Sequence, residues 1–157
     1  MNTKQVTIAA VFGGAAFIVR FMNLVIPLVP PFVFDVRGLF VVVGAALAGP
    51  IAGAIVGFLA GLPASIPIID VPAFTVAGFA TGWAANKLYK HKTKAALSGL
   101  CMLFGYAVAT VIVAIIGLWP AIMGLVARAV IAVPMNILIL WILFKAYPPA
   151  LWLARET

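Results

Sequence analysis

Residues 36–62 read VRGLFVVVGAALAGPIAGAIVGFLAGL, and the way this run divides decides the fold. Taken whole, it is one kinked helix that crosses a bilayer once. Divided at Gly49-Pro50, it gives two helices, about Val36–Leu47 and Pro50–Leu62. Each is then shorter than the roughly 20 residues that a bilayer core demands. Proline suits the first turn of a helix, so Gly49-Pro50 reads as one helix ending and another starting. The two readings place everything downstream on opposite sides of a membrane.

The charges choose between them. Lys87, Lys90, Lys92 and Lys94 lie in one connection, Lys4 lies near the amino terminus, and Lys145 and Arg155 lie near the carboxyl terminus. With the division there are about six apolar segments, near 4–28, 36–47, 50–62, 73–89, 95–117 and 121–147. All seven of those basic residues then share one face. The positive-inside rule makes that face cytoplasmic. Without the division, the lysine connection faces outward. The expectation is an all-α, polytopic membrane bundle of about six transmembrane helices. It forms one integral membrane domain over 1–157, in the cell membrane, with both termini cytoplasmic.

Composition agrees. Of the chain, 66% is hydrophobic and 8% is charged, with a mean hydropathy of +1.27. Soluble domains carry about 25% charged residues. The net charge of +7 is accounted for by topology, so nucleic acid is not an expected partner. The lipid bilayer is. The lone Cys101 excludes an internal disulfide and reads as a small buried hydrophobe. The first segment has Lys4 before an apolar run, but the run continues past Arg20 and Asn23 with no small-residue cleavage site. It reads as a retained helix.

Between the helices lie two proline-rich outer connections, residues 30–35 and 63–72, and a tight turn at Leu118-Trp119-Pro120. The two stiffened loops are natural gates to a site on the outer side. Trp141 and Trp152 suit the inner interface. Glycine recurs every fourth residue at Gly49, Gly53, Gly57 and Gly61, with Gly78 and Gly82 in the next helix and Ala10 with Gly14 in the first. Such faces let helix backbones approach closely in lipid. For the glycines, internal packing is the expectation. For Ala10 and Gly14, internal packing and docking of a partner both stand.

Enzyme chemistry has little to work with. The acids are Asp35, Asp70 and Glu156, and the one histidine, His91, lies among lysines. No metal-ligand cluster, phosphate-binding GxxxxGK[ST] loop or nucleophile–base pair occurs. The chain is expected to be no enzyme, with no cofactor and no metal, and any ATP hydrolysis falls to a partner.

Ionisable residues within apolar helices cost at least about 2.5–3.5 kcal/mol each on insertion scales and call for an explanation. Arg20 lies about 24 Å along its helix from Lys4. It either snorkels to the outer surface or meets a ligand, with Asn23 on the same face. Arg128 lies about 12 Å below Pro120. That is too deep for easy escape, so it is expected to be buried against an acid, a carbonyl or an anionic ligand. Asn136 follows two turns further in, after Pro134. Asp35, Arg37 and Asp70 fall at outer helix ends, pairing with arginines, facing water or contacting a ligand. Three arginines against two aspartates leave one positive charge, which favours an anionic group that guanidinium can grip bidentately. Phe34 and Trp119 at the same level either stack on a ring or cover the site, and Trp119 equally suits an interface anchor.

With six short helices, both termini inside and proline-rich outer loops, the chain resembles the S components of energy-coupling factor (ECF) transporters. Ala10-Val-Phe-Gly-Gly14 is similar to that family's AxxxA signature, with glycine replacing the second alanine. Asp35-Val-Arg37-Gly38-Leu39 and Gly49-Pro50 look like its helix 2 and 3 region. The resemblance implies capture of a vitamin or related micronutrient from outside by an ABC-type importer. Delivery then follows docking of helix 1, through Ala10 and Gly14, onto a transmembrane coupling subunit powered by two ATPase subunits. It also implies a pocket near the outer surface, with Arg128, Asn136 and the first loop as candidates. Ligand identity does not carry over. The spare arginine favours a carboxylate-bearing compound such as biotin, lipoate, pantothenate or a folate. Two other readings stay open: a non-catalytic assembly subunit of a membrane complex, and a self-sufficient small transporter.

Overall fold

A computed structural model of the chain describes residues 1–29, 32–88 and 95–146. Within them lie six α-helices and one β-hairpin: α1 (Thr3–Phe21), β1 (Val25–Val29), β2 (Phe32–Asp35), α2 (Val36–Ala48), α3 (Pro50–Gly61), α4 (Pro67–Leu88), α5 (Met102–Ile115) and α6 (Pro120–Ala146). A 3-10 turn, Leu97–Cys101, leads into α5. Four stretches, Thr3–Phe21, Pro67–Leu88, Leu97–Ile115 and Pro120–Ala146, are long and apolar enough to cross a membrane. Large apolar side chains cover the outside, among them Phe21, Ile115 and Met123, each more than 70% exposed. The bundle has the character of a membrane protein, with lipid-compatible surface all round.

The deciding run is two helices. Gly49 joins them at φ +88°, a left-handed conformation that side chains resist and glycine takes freely. Its N–H still closes α2 on the Ala45 carbonyl. Pro50 then opens α3 at a position where its missing N–H costs nothing. At about 20 Å and 18 Å, α2 and α3 are short of a bilayer core. They fold back on one another, Ala45 beside Gly53 and Gly44 beside Val56.

The glycine repeat of α3 is an internal seam. Gly53 lies against the Gly78 carbonyl, Gly57 against the Phe74 carbonyl, and Gly82 of α4 against Gly49. These pairings run in opposite senses along the chain, so α3 and α4 are antiparallel and in backbone contact. Any side chain in the seam would push the two helices apart, which is the close approach that small-residue faces permit. Gly105 brings α5 equally close to α4 at Ala73.

Three elements differ from the sequence expectation. The first helix ends at Phe21, not near Leu28. Asn23 has φ +54°, which asparagine tolerates better than most residues, and Pro27 cannot donate the next helical hydrogen bond. The chain turns into β1, antiparallel to β2 with Val25 opposite Asp35 and Ile26 opposite Phe34. Part of the first outer connection is therefore a hairpin. The fourth helix starts at Pro67, not Ala73, with Pro72 inside it. Near a helix start a proline removes few bonds, and the extension puts Asp70 in the first turn, where the helix dipole favours a carboxylate. The lysine connection beyond Leu88 and the chain after Ala146, including Trp152, lie outside the described residues.

Contacts define the two ends of the bundle. Gln5 and Asn86 lie beside Gly49 at one end. At the other, Arg20 reaches Ser65 and Arg37 reaches Asp70. Between the ends, one apolar cluster joins α1, α2 and α3 around Val41 and Val56. A second joins α2, α4, Ala95 and Ala96 before the 3-10 turn, the start of α5 and α6 around Val42, Ala77 and Leu140. A third joins α4 and α5 to the start of α6 at Ile69, Ala109 and Leu125.

Candidate functional site

Asp35 ends β2 and caps α2, its Oδ1 accepting from the Arg37 N–H at 3.1 Å. Two residues later the same carboxylate takes the Arg37 side chain, Oδ2 accepting from Nε at 2.7 Å. Arg37 is 2% exposed. Its Nη2 donates to Asp70 Oδ2 at 2.6 Å and its Nη1 to the Ala60 carbonyl at 3.2 Å. The guanidinium stands 4.3 Å over the Phe74 ring. A buried cation is tolerable only when paired and hydrogen-bonded. Arg37 meets both conditions, tying α2, α3 and α4 together at one end of the bundle. Asp70 and Phe74 are four residues apart and so share a face of α4.

This clamp forms one wall of a cleft between α2, α4, α5 and α6. The cleft is lined by Asp35, Arg37, Gly38, Asp70, Ala73, Phe74, Met102, Gly105, Tyr106, Ala109, Leu125, Arg128, Ala132 and Asn136. It encloses about 40 Å³ of cavity, room for a few waters, and widens to about 540 Å³ of empty space when its open mouth is included. Five of the residues singled out in the sequence meet here: Asp35, Arg37, Asp70, Arg128 and Asn136.

Asn136 on α6 is 1% exposed, and neither its Nδ2 nor its Oδ1 has a hydrogen-bond partner among the described residues. Buried polar side chains are nearly always bonded. Here a donor group and an acceptor stand free beside empty space. Thr81 and Ser98 are also buried without partners among the described residues, but neither lines the cleft. Thr81 differs from Thr75 and Thr110, whose hydroxyls donate back to the Val71 and Tyr106 carbonyls.

Two expectations need correcting. Arg128 is exposed, not buried, and makes no hydrogen bond or ion pair with the described residues. The buried arginine of the site is Arg37. Which arginine is buried depends on how α6 is rotated, and depth along a helix says nothing about rotation. The charge count also changes. Arg20 spends its guanidinium on Asn23 Oδ1 and Ser65 Oγ, each at 3.2 Å, away from the cleft. Two aspartates then balance Arg37 and Arg128. Because Arg37 already occupies both carboxylates, the unpaired charge of the cleft is Arg128.

The remaining candidates lie elsewhere. Phe34 is buried in the hairpin, 7% exposed, and is not part of the lining. Trp119 projects from the turn before α6 at 64% exposure. Ala10 is exposed on α1, and nothing lies within 4 Å of the space beside Gly14, so this face of α1 has no partner within the described residues. Sequence reasoning missed Tyr106, Phe74 and Met102. The i, i+4 spacing of Asp70 and Phe74 would have placed Phe74 beside the charge cluster. For Met102, nothing in an apolar run distinguishes a lining side chain from a core one.

No protein-family model, no curated protein and no solved structure matches this chain.

Proposed function

We propose that the chain is the substrate-binding membrane subunit of an ECF-type importer. In this reading it takes a vitamin or related micronutrient, one bearing a carboxylate or similar anionic group, from outside the cell. The supporting observation is Asn136, buried and without a partner among the described residues, in the lining of a cleft that opens outward and also carries Arg128, which pairs with none of the described residues. Positive-inside topology puts the Arg37 end outward and the termini in the cytoplasm, so the cleft opens toward the side from which nutrients come. The rigid α2–α3–α4 framework pre-forms one wall, and the hairpin beside α6 serves as cover. A transmembrane coupling subunit with two ATPase subunits supplies the energy. The open Ala10–Gly14 face of α1 is the docking surface offered to it, since closely approaching helices need small residues there.

Affinity purification of the full chain from its own cells tests the role. A coupling membrane protein and two ATPases are expected with the wild type and are expected to be lost with Gly14→Leu. Purification of the chain with a large complex that binds no small molecule would favour an assembly subunit, the reading for which the same α1 face also speaks. Uptake by the purified chain alone in liposomes would favour a self-sufficient transporter.

A further inference from the structure

Resting on the binding role proposed above, we infer that the ligand presents a planar amide-type edge, a donor beside an acceptor, to Asn136. Its anionic group goes to Arg128. An asparagine side chain offers two N–H donors and two lone pairs in one plane, and all of them are unused. A single hydroxyl or carbonyl would satisfy half of that group. A lactam, ureide, primary amide or aminopyrimidine edge satisfies both halves with two parallel hydrogen bonds, as asparagine does with the donor–acceptor edge of adenine.

Water is the competing occupant, and the flanking α6 residues disfavour it. One turn before Asn136 on the same helix face is Ala132, and Val133 and Leu140, a turn to either side, pack in the apolar cluster with Met102. A buried water needs two to four polar partners; these α6 neighbours bring none, while the facing 3-10 turn, whose Gly99 packs on the Asn136–Ile137 backbone, carries Ser98, likewise buried without a partner among the described residues. The Met102 methyl closes over Gly38, and Ala73 and Ala77 close over Gly105, so a flat group fits better than a bulky one. Along α6, eight residues or about 12 Å separate Asn136 from Arg128. The ligand therefore spans roughly that distance from edge to anion. A cationic ligand fits poorly, because Asp35 gives both oxygens to Arg37 and Asp70 gives one.

Titration calorimetry of the purified full chain separates these ideas. The probes are biotin and folate, which carry an amide-type edge and a carboxylate, and two carboxylates without that edge: lipoate, which has biotin's carboxylate tail, and pantothenate, whose open-chain trans amide points its N–H and C=O to opposite sides. At least one edge-bearing compound is expected to bind, and lipoate and pantothenate are not. Asn136→Leu is expected to weaken that binding by about a hundredfold, since a site built to bond a polar edge discriminates strongly. Thermal unfolding gives the second readout. If Asn136 waits for a ligand, Asn136→Leu leaves the melting temperature of the empty protein unchanged or raised, because an unsatisfied group is removed. Binding of lipoate or pantothenate, or unchanged affinity in Asn136→Leu, would overturn the inference while leaving the binding role standing. A lowered melting temperature with unchanged affinity would make Asn136 structural. No binding by any of the four probes, from a protein that also purifies empty, would overturn the binding role and this inference together.

Discussion

Arg37 Nη2 and Asp70 Oδ2 stand 2.6 Å apart across the α2–α4 interface, with Arg37 almost wholly buried and Asp70 a quarter exposed. The pair fixes the start of a helix too short to span to one that spans. That attachment holds the α2 and α4 side of the cleft together.

Removing the arginine should therefore be the most damaging single change at the site. Arg37→Ala leaves Asp35 and Asp70 facing each other around a void and is expected to cost about 3–5 kcal/mol. Asp70→Asn, which leaves Arg37 paired with Asp35, should cost less. Thermal unfolding in detergent measures both, and equal effects would mean that the two carboxylates do not share Arg37.

Glycine positions should divide by what they touch. Gly57 meets the Phe74 carbonyl directly, so Gly57→Ala should destabilise by about 1–3 kcal/mol through overpacking against backbone that cannot move aside. Gly14→Ala has open space beside it and should be neutral to folding. A neutral Gly57→Ala would contradict the α3–α4 seam.

At the break, Gly49→Ala should cost about 1–3 kcal/mol, because φ +88° with ψ −174° is a backbone conformation that essentially only glycine takes. A fully neutral outcome in the same unfolding assay would mean that 36–62 is not divided as described.

These positions also show what the sequence could and could not disclose. Glycine and proline act locally, so the division at Gly49-Pro50 and the seam at Gly53 and Gly57 were legible. The same rule applied to Pro27 would have ended the first helix early, and apolar continuity through Leu24 and Ile26 obscured it. Pro72 misled in the other direction, since a proline close to a helix start is tolerated and Asp70 belongs to the helix. The pairing of Arg37 with two aspartates, 2 and 33 residues away in the chain, depends on three helices meeting. No local pattern encodes that. Arg128 lines the cleft but is exposed, where its depth along the helix suggested burial.

Arg128→Ala should leave stability within about 0.5 kcal/mol, as expected for an exposed side chain without partners. Affinity for an anionic ligand should fall roughly tenfold to a hundredfold, the worth of a charge-assisted hydrogen bond. Calorimetry beside thermal unfolding reads the two effects separately. Loss of stability with unchanged affinity would take Arg128 out of the site.

The central claim is that this cleft holds a small molecule, and native mass spectrometry of the gently purified full chain tests it most directly. The wild type should carry one stoichiometric small molecule with an acidic group, absent from Asn136→Leu and depleted in Arg128→Ala. A wild-type protein that is folded yet empty, and stays empty after incubation with a broad vitamin panel, would contradict it.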